Sequence, residues 1–243
     1  MSEDRIVYLP DLHVPFNINL DPVFEFIQDF KPTTVILGGD AHDFTSVGQW
    51  IADQSRERLG GTLKENYKQL KSVALTPIQR AAPKAKKIYL RGNHERWIDL
   101  AVERDPNGVG FWELEGNLTP EWEIYAENVP YKASKHLYYI HGLYINEFHA
   151  KKTALAYHKN VCYGHIHDIQ VHTLVSPIDE AQFFKAQSCG CLCHVNPQYM
   201  RNKPNKWVNG FNFAYVEKET GYFSDVQVYI VENKFWANGK RYR

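Results

Sequence analysis

Five short segments carry side chains that bind metal ions: Asp11-Leu12-His13, Asp40, Asn93-His94, His141 and His165-Ile166-His167. Carboxylate, imidazole and amide oxygen are borderline-to-hard ligands. They suit Mn²⁺, Fe, Zn²⁺ or Ni²⁺ better than Ca²⁺. In extended backbone, residues two apart project the same way. Asp11 therefore pairs with His13, and His165 with His167. Asp11, His13, Asp40, Asn93, His141, His165 and His167 are too many ligands for one ion and natural for two. The expected cofactor is a pair of divalent transition-metal ions, Mn²⁺ first among them. One carboxylate should bridge the pair, and Asp40 is the best placed.

Each segment follows an apolar run that reads as a buried strand. Arg5 to Leu9 leads into Asp11. Thr34 to Leu37 leads into Gly38-Gly39-Asp40-Ala41-His42-Asp43. Ile88 to Leu90 leads into Arg91-Gly92-Asn93-His94-Glu95, where Gly92 allows a tight turn. Leu137 to Ile140 ends in His141-Gly142, and Val161 to Tyr163 in Gly164-His165. This gathers the chemistry at the carboxyl edge of a sheet, where open α/β folds keep their sites. Between the strands, Asp21-Pro22 opens a helix with Asp21 as N-cap. Phe44 to Arg80 is helical in composition but broken by Gly60-Gly61. Glu95–Arg104 and Ala150–Lys159 also suit helices. Residues 105 to 134 are irregular and aromatic-rich, a loop or cap beside the site. After Asp168, short alternating strands near 169–175, 181–188, 210–217 and 222–231 predict an antiparallel meander. Nothing divides the halves, so residues 1–243 read as one α/β domain.

Bulk properties narrow the function. A chain of 243 residues, 44% hydrophobic, can bury a sizeable core. Lys plus Arg and Asp plus Glu are 28 each, which argues against a long electrostatic track for nucleic acid. No apolar run approaches the roughly 18 residues of a membrane span, and the acidic N-terminus lacks a signal segment. Three of the four cysteines crowd at Cys189, Cys191 and Cys193. That spacing forms neither a disulfide framework nor a CxxC pair, so a reducing cytoplasm is expected.

In order, Asp-x-His, Gly-Asp-x-x-Asp, Gly-Asn-His-Glu, His-Gly and Gly-His-x-His resemble the calcineurin-like metallophosphoesterase superfamily over residues 5 to 170. The resemblance implies a four-layer sandwich, two mixed β-sheets flanked by helices, with a dinuclear centre at the sheet edge. Carried over by position, one ion takes Asp11, His13, Asp40 and His167; the other takes Asp40, Asn93, His141 and His165. His94 is then the catalytic histidine, oriented by Asp43. Chemistry agrees: two ions activate water and clamp a phosphoryl group for in-line attack by hydroxide, without a protein nucleophile. His94 can protonate the leaving oxygen, and an Asp43 carboxylate would keep that imidazole charged and turned. The substrate is a phosphate mono- or diester, with a leaning to a nucleotide or nucleic-acid end.

Trp207-x-Asn209-Gly210-Phe211 and the Asp11 to Phe16 stretch are similar to small phage-type members. Leu90 to Glu95 is similar to the Ser/Thr protein phosphatase signature, whose arginine, here Arg91, binds substrate phosphate. That branch has Gly where this chain has Val14 and Arg where it has Phe44. A non-catalytic scaffold on the same fold is the remaining alternative; such chains lose the catalytic histidine or a ligand, and this one keeps them.

Blander roles compete at several positions. His136 and His149 lie near His141, but His141 directly follows a strand and precedes Gly142. His42 sits between two assigned acids and is not counted as a ligand. Asp43 could be a surface acid and Arg91 a salt-bridge partner. The three clustered thiols would share one strand face, as packing or as a second metal or redox site. The basic run at Lys84 to Lys87 reads as a solvated helix end.

Overall fold

A computed structural model describes residues 3–49, 61–178, 183–197 and 200–243. Period-two burial builds the first layer. In strand β1 (Glu3–Leu9), Ile6 and Tyr8 face one way and Val7 and Leu9 the other. Strand β2 (Thr34–Leu37) repeats the pattern with Ile36 opposed to Val35 and Leu37. Strand β3 (Lys86–Leu90) does so with Ile88 and Leu90 opposed to Tyr89. Strands buried on both faces are near-continuous apolar runs, as parallel sheets require. Strand β4 (Trp122–Tyr125) pairs parallel with β3. On the other side of β1, strands β10 (Gly210–Glu217) and β11 (Phe223–Tyr229) add antiparallel, giving the order β11-β10-β1-β2-β3-β4.

A second sheet holds β5 (Tyr131–Lys132), β6 (Leu137–Tyr139), β7 (Asn160–Tyr163), β8 (Val171–Val175) and β9 (Phe183–Ser188). Its order is β5-β6-β7-β9-β8. Ile6, Tyr8, Ile36, Ile88 and Leu90 of the first sheet meet Tyr131, Leu137, Tyr139 and Cys162 of the second in one buried layer. The Tyr8 hydroxyl donates to Ile140 O at 2.9 Å across that layer.

Helices close both outer faces. Helix α1 (Asp21–Phe30) buries Val23, Phe26, Ile27 and Phe30 on the first sheet. Phe26 meets the rings of Phe30, Phe211 and Phe213 at 5.1 to 5.2 Å. Burying each such side chain is worth about 1.5–3 kcal/mol. Helix α2 (Leu63–Leu70) starts in a Thr62/Glu65 capping box and passes through a π turn (Lys71–Leu75) into α3 (Thr76–Ala81). The wider turn ends beside Pro77, which has no N–H to donate. Helix α4 (Asn93–Arg104) follows β3, and α5 (Leu114–Asn117) precedes β4. Helix α6 (His149–Tyr157) covers the second sheet, with Ala154 packed against Val161, Tyr163 and Ala186. The hairpin β12 (Phe235–Ala237) and β13 (Lys240–Tyr242) seats Phe235 and Tyr242 beside Phe26. This is the four-layer arrangement of two mixed sheets between helices that the motif order implied. Among the described residues no helix is long and apolar enough to cross a membrane.

Three expectations change. Residues 105–134 are not merely loop or cap: Trp122 is buried core on β4, and Tyr131 lies between the sheets on β5. The last third is not a meander. Strand β9 pairs parallel with β7, while β10 and β11 cross to the other sheet. Asp21 is the first helical residue and not the N-cap; its N–H donates to Asn19 Oδ1 at 3.0 Å. Part of the helical reading of 44–80, and the first residues of the strand expected from 181, lie outside the described residues.

One buried carboxylate ties the loops after β2 and β3 together. Glu95 is fully buried. Its Oε2 accepts from Asp40 N at 3.0 Å and Gly92 N at 2.8 Å. Its Oε1 accepts from Ala41 N at 3.1 Å and the Tyr89 hydroxyl at 2.7 Å. Burial, then the nearby Asp40 charge, raises the Glu95 carboxyl above its ordinary range. Glu95→Ala strands four buried donors, so equilibrium urea denaturation should show a loss of about 3–5 kcal/mol. Glu95→Gln should recover little, because its amide NH₂ would face two donors. A loss below about 1 kcal/mol in the Ala variant would mean that the loops hold without this carboxylate.

Candidate metal centre

The loops that leave β1, β2, β3, β6 and β7 converge at one edge of the two sheets. Backbone bonds lace the first two: His13 N donates to Asp40 O at 2.9 Å, and Asp43 N to Val14 O at 2.9 Å. Gly92 is needed for space, and its φ of −102° is available to any residue. A Cβ there would strike Asp40 Oδ1, and one on Gly164 would strike Asp11 Oδ2. Both glycines let a carboxylate sit against neighbouring backbone.

The two carboxylates are each divided in function. Asp11 Oδ2 accepts from His165 N at 2.8 Å, joining the two sheets. Asp40 Oδ1 accepts from His94 N at 2.9 Å, at the start of α4. The second oxygens face the centre. Asp40 Oδ2 has His141 Nε2 at 3.5 Å, His13 Nε2 at 3.8 Å and His94 Nε2 at 3.9 Å. Asp11 Oδ1 has His167 Nε2 at 3.3 Å. His13 Nε2 and His167 Nε2 stand 3.2 Å apart, as do His141 Nε2 and Asn93 Oδ1. Donors bound about 2.0–2.2 Å from one ion lie about 3–3.6 Å apart, so these spacings fit shared coordination.

Two of the rings have outward partners on their other nitrogen. His13 Nδ1 meets Asp43 Oδ1 at 3.0 Å, and His141 Nδ1 donates to Gly38 O at 2.8 Å. Metal-binding histidines characteristically donate their second N–H in this way. Two buried atoms are left over. Asp11 Oδ1 and His165 Nδ1 form no hydrogen bond with any described residue. Buried polar atoms are rarely orphaned; Asp11 Oδ1 lies 3.3 Å from His167 Nε2, and His165 brings one ring nitrogen within 4.8 Å of ligand atoms of Asp40 and His141. The residues thus fit a divalent metal centre; Asp11/His13/Asp40 and Asp40/His141/His165 each bring ligand atoms within 4.8 Å of one another.

Electrostatics at the site call for positive charge. Burial opposes charge on His13, but the Asp43 bond and the Asp40 charge raise it to about 9. His141, against the same burial, is raised to about 10, chiefly by Asp40. Asp40 itself is held well below the carboxylate range, since His141 and His94 outweigh burial. Burial dominates at His165, which falls to about 4. Asp11, His13, Asp40, His165 and His167 all take left-handed backbone, with φ of 46°, 47°, 47°, 70° and 65°. Such strain persists where surrounding structure enforces it, and it concentrates at functional sites.

Two sequence assignments look different in three dimensions. Asp43 meets His94 through its backbone: His94 Nδ1 donates to Asp43 O at 2.9 Å, while the Asp43 carboxylate is 3.5 Å away and bonded to His13. Burial lowers His94, although Asp40 and Asp43 both favour its charge. Arg91 lies between Asp99 at 2.5 Å and Glu115 at 3.2 Å. Two carboxylates thus pair with its guanidinium, which fits the salt-bridge role weighed against phosphate binding. His42 is buried against Gln69 at 3.1 Å, and burial lowers it to about 4. His149 bonds Tyr163 and Asp168, and His136 stacks on Tyr222, both turned to other partners. The thiols of Cys189, Cys191 and Cys193 are buried in chain that follows β9, and Cys193 Sγ lies 3.9 Å from His167 Nδ1. The hold of Glu95 on the loops and the contact of Cys193 with His167 were not read from the sequence. Only Glu95 carried a signal, an acid at the third position of a helix after a glycine turn.

No protein-family model matches this chain, and no curated protein does. Solved structures do resemble it. A single-residue mutant of Vps29 from Entamoeba histolytica aligns over 98% of this chain and 97% of its own, with 12% identity and a TM-score of 0.50. The wild-type protein from that organism, solved complexed with Zn²⁺, gives the same coverage and TM-score at 11% identity. At that identity the likeness is one of architecture: the chain has the metallophosphoesterase fold seen in Vps29.

Proposed function

We propose that this chain is a phosphoesterase that uses two divalent transition-metal ions, Mn²⁺ first, to hydrolyse a phosphate mono- or diester. The observation that carries this reading is the convergence of buried carboxylate and imidazole donors in Asp11/His13/Asp40 and Asp40/His141/His165, with Asp11 Oδ1 and a nitrogen of His165 left without a hydrogen bond to any described residue. Asp11, His13, Asp40 and His167 would hold one ion, and Asp40, Asn93, His141 and His165 the other. When bound, such ions activate water and stabilise the charge of a transferring phosphoryl group. Asp40 would serve both ions, its Oδ1 being held by His94 N at the start of α4. His94 Nε2 faces the same oxygen at 3.9 Å, its other nitrogen held by Asp43 O. The negative charge of a phosphate ester beside Nε2 offsets the burial that lowers this ring. It favours the imidazolium that protonates the leaving oxygen. The leaning to nucleotide or nucleic-acid substrates is part of the same proposal.

Elemental analysis after Mn²⁺ loading should give two ions per chain, and a reproducible value of one or fewer would sink the dinuclear reading. His94→Ala should keep both ions yet lose turnover of an alkyl ester by about 10²–10⁴-fold. The deficit should shrink for a nitrophenyl ester, whose oxygen departs without a proton. Loss of metal in this variant would make His94 a ligand. Asp43→Asn should act differently, because its carboxylate supports His13. Metal affinity, followed by calorimetric titration, should fall about 10–100-fold. Unchanged affinity with reduced turnover would return Asp43 to a role on His94.

A further inference from the structure

Charge around the centre is lopsided. On the His94 flank, Arg91 is neutralised by Asp99 and Glu115. On the His167 flank, the described residues between His194 and Val208 form an arm. Its feet are fixed at the centre: His194 N donates to Phe16 O at 2.9 Å, and Val208 N to His167 O at 2.7 Å. The Trp207 ring, half-buried, lies 4.2 Å from that of His167. Asn205 Nδ2 donates to Val195 O at 2.9 Å, drawing the arm closed. Arg201, Lys203 and Lys206 stand exposed on it, and none has a carboxylate of a described residue within 4.0 Å, although Lys206 is near enough to Asp168 to help lower that carboxyl. From Ala181 to Val216 the sequence has no Asp or Glu, although the whole chain has as many acids as bases. Lys185, the other cation of that stretch, is taken by Asp225.

A ligand with one phosphate would engage the centre and leave the arm idle. Several exposed cations, without carboxylates among them, fit a chain of phosphates. An aromatic ring at the foot of a basic arm is how proteins hold unpaired bases. We propose that this arm docks single-stranded nucleic acid, with successive phosphates on Arg201, Lys203 and Lys206 and an unpaired base on Trp207. Placing the scissile phosphate at the metal centre rests on the phosphoesterase reading; docking on the arm does not.

The test is fluorescence anisotropy of a labelled, phosphorothioate-linked thymidine oligonucleotide with Mn²⁺-loaded protein. Three phosphate contacts to a single strand predict a log–log salt slope near −2, or about 20-fold weaker binding from about 50 to 200 mM salt. R201E/K203E/K206E should flatten that slope and weaken low-salt binding at least about tenfold. R201K/K203R/K206R should restore both, which excludes a folding defect. Trp207→Leu should weaken binding about tenfold without changing the slope. A flat slope in the wild type, or no effect of charge reversal, would overturn the proposal. The same preparations are assayed on bis-nitrophenyl phosphate. Oligonucleotide binding without ester hydrolysis removes the phosphoesterase reading and keeps the arm. Hydrolysis without salt-dependent binding removes the arm and keeps the phosphoesterase.

Discussion

A dry carboxylate in the middle of a protein must be surrounded by donors, and Glu95 is. Three backbone N–H groups and a tyrosine hydroxyl converge on it from the ends of β2 and β3. Each of those groups would itself be costly to leave unpaired. The carboxylate and its donors are therefore locked together, and the lock sets where Asp40 and α4 begin. Asp40 then caps α4 with one oxygen and offers the other to three imidazoles. Two carboxylates so close repel, which adds to the burial that raises the Glu95 carboxyl. Histidine charge on one side and backbone dipoles on the other make the arrangement tolerable.

That lock also explains how strained backbone survives at the site. Left-handed conformation costs a non-glycine residue roughly 1–2 kcal/mol. Asp11, His13, Asp40, His165 and His167 each carry it. No single contact enforces them. The Asp11–His165 bond, the His13–Asp40 backbone bond and the two cramped glycines do so jointly.

Local signals made one half of this chain readable. Apolar runs of three to five residues ending in acid, glycine and histidine located β1, β2, β3, β6 and β7 to within about two residues. Their shared edge followed from the rule that α/β sheets place sites at carboxyl ends. What stayed hidden was pairing between distant strands. Alternation in Phe183–Ser188 marks a strand but not its parallel partner, β7. Strand β4 was masked by aromatics that also suit a loop. Arg91 illustrates a different limit: its motif points to phosphate, yet Asp99 and Glu115 are brought to it by folding. The same holds for Asp43, whose backbone carbonyl, invisible to motif reading, takes the role expected of its side chain.

The proposed ligand set straddles a seam. Asp11, His13, Asp40 and Asn93 come from the first sheet, whereas His141, His165 and His167 come from the second. Beneath them, Ile6, Tyr8, Ile36 and Ile88 already join the sheets to Leu137 and Tyr139 through a dry apolar layer. Ions held at that edge would act as rivets on a joint that is glued along its length. Shape and chemistry are therefore separable here. Ligands can be exchanged one at a time for other side chains while the joint persists, so a single scaffold can carry different metals, or a surface without any.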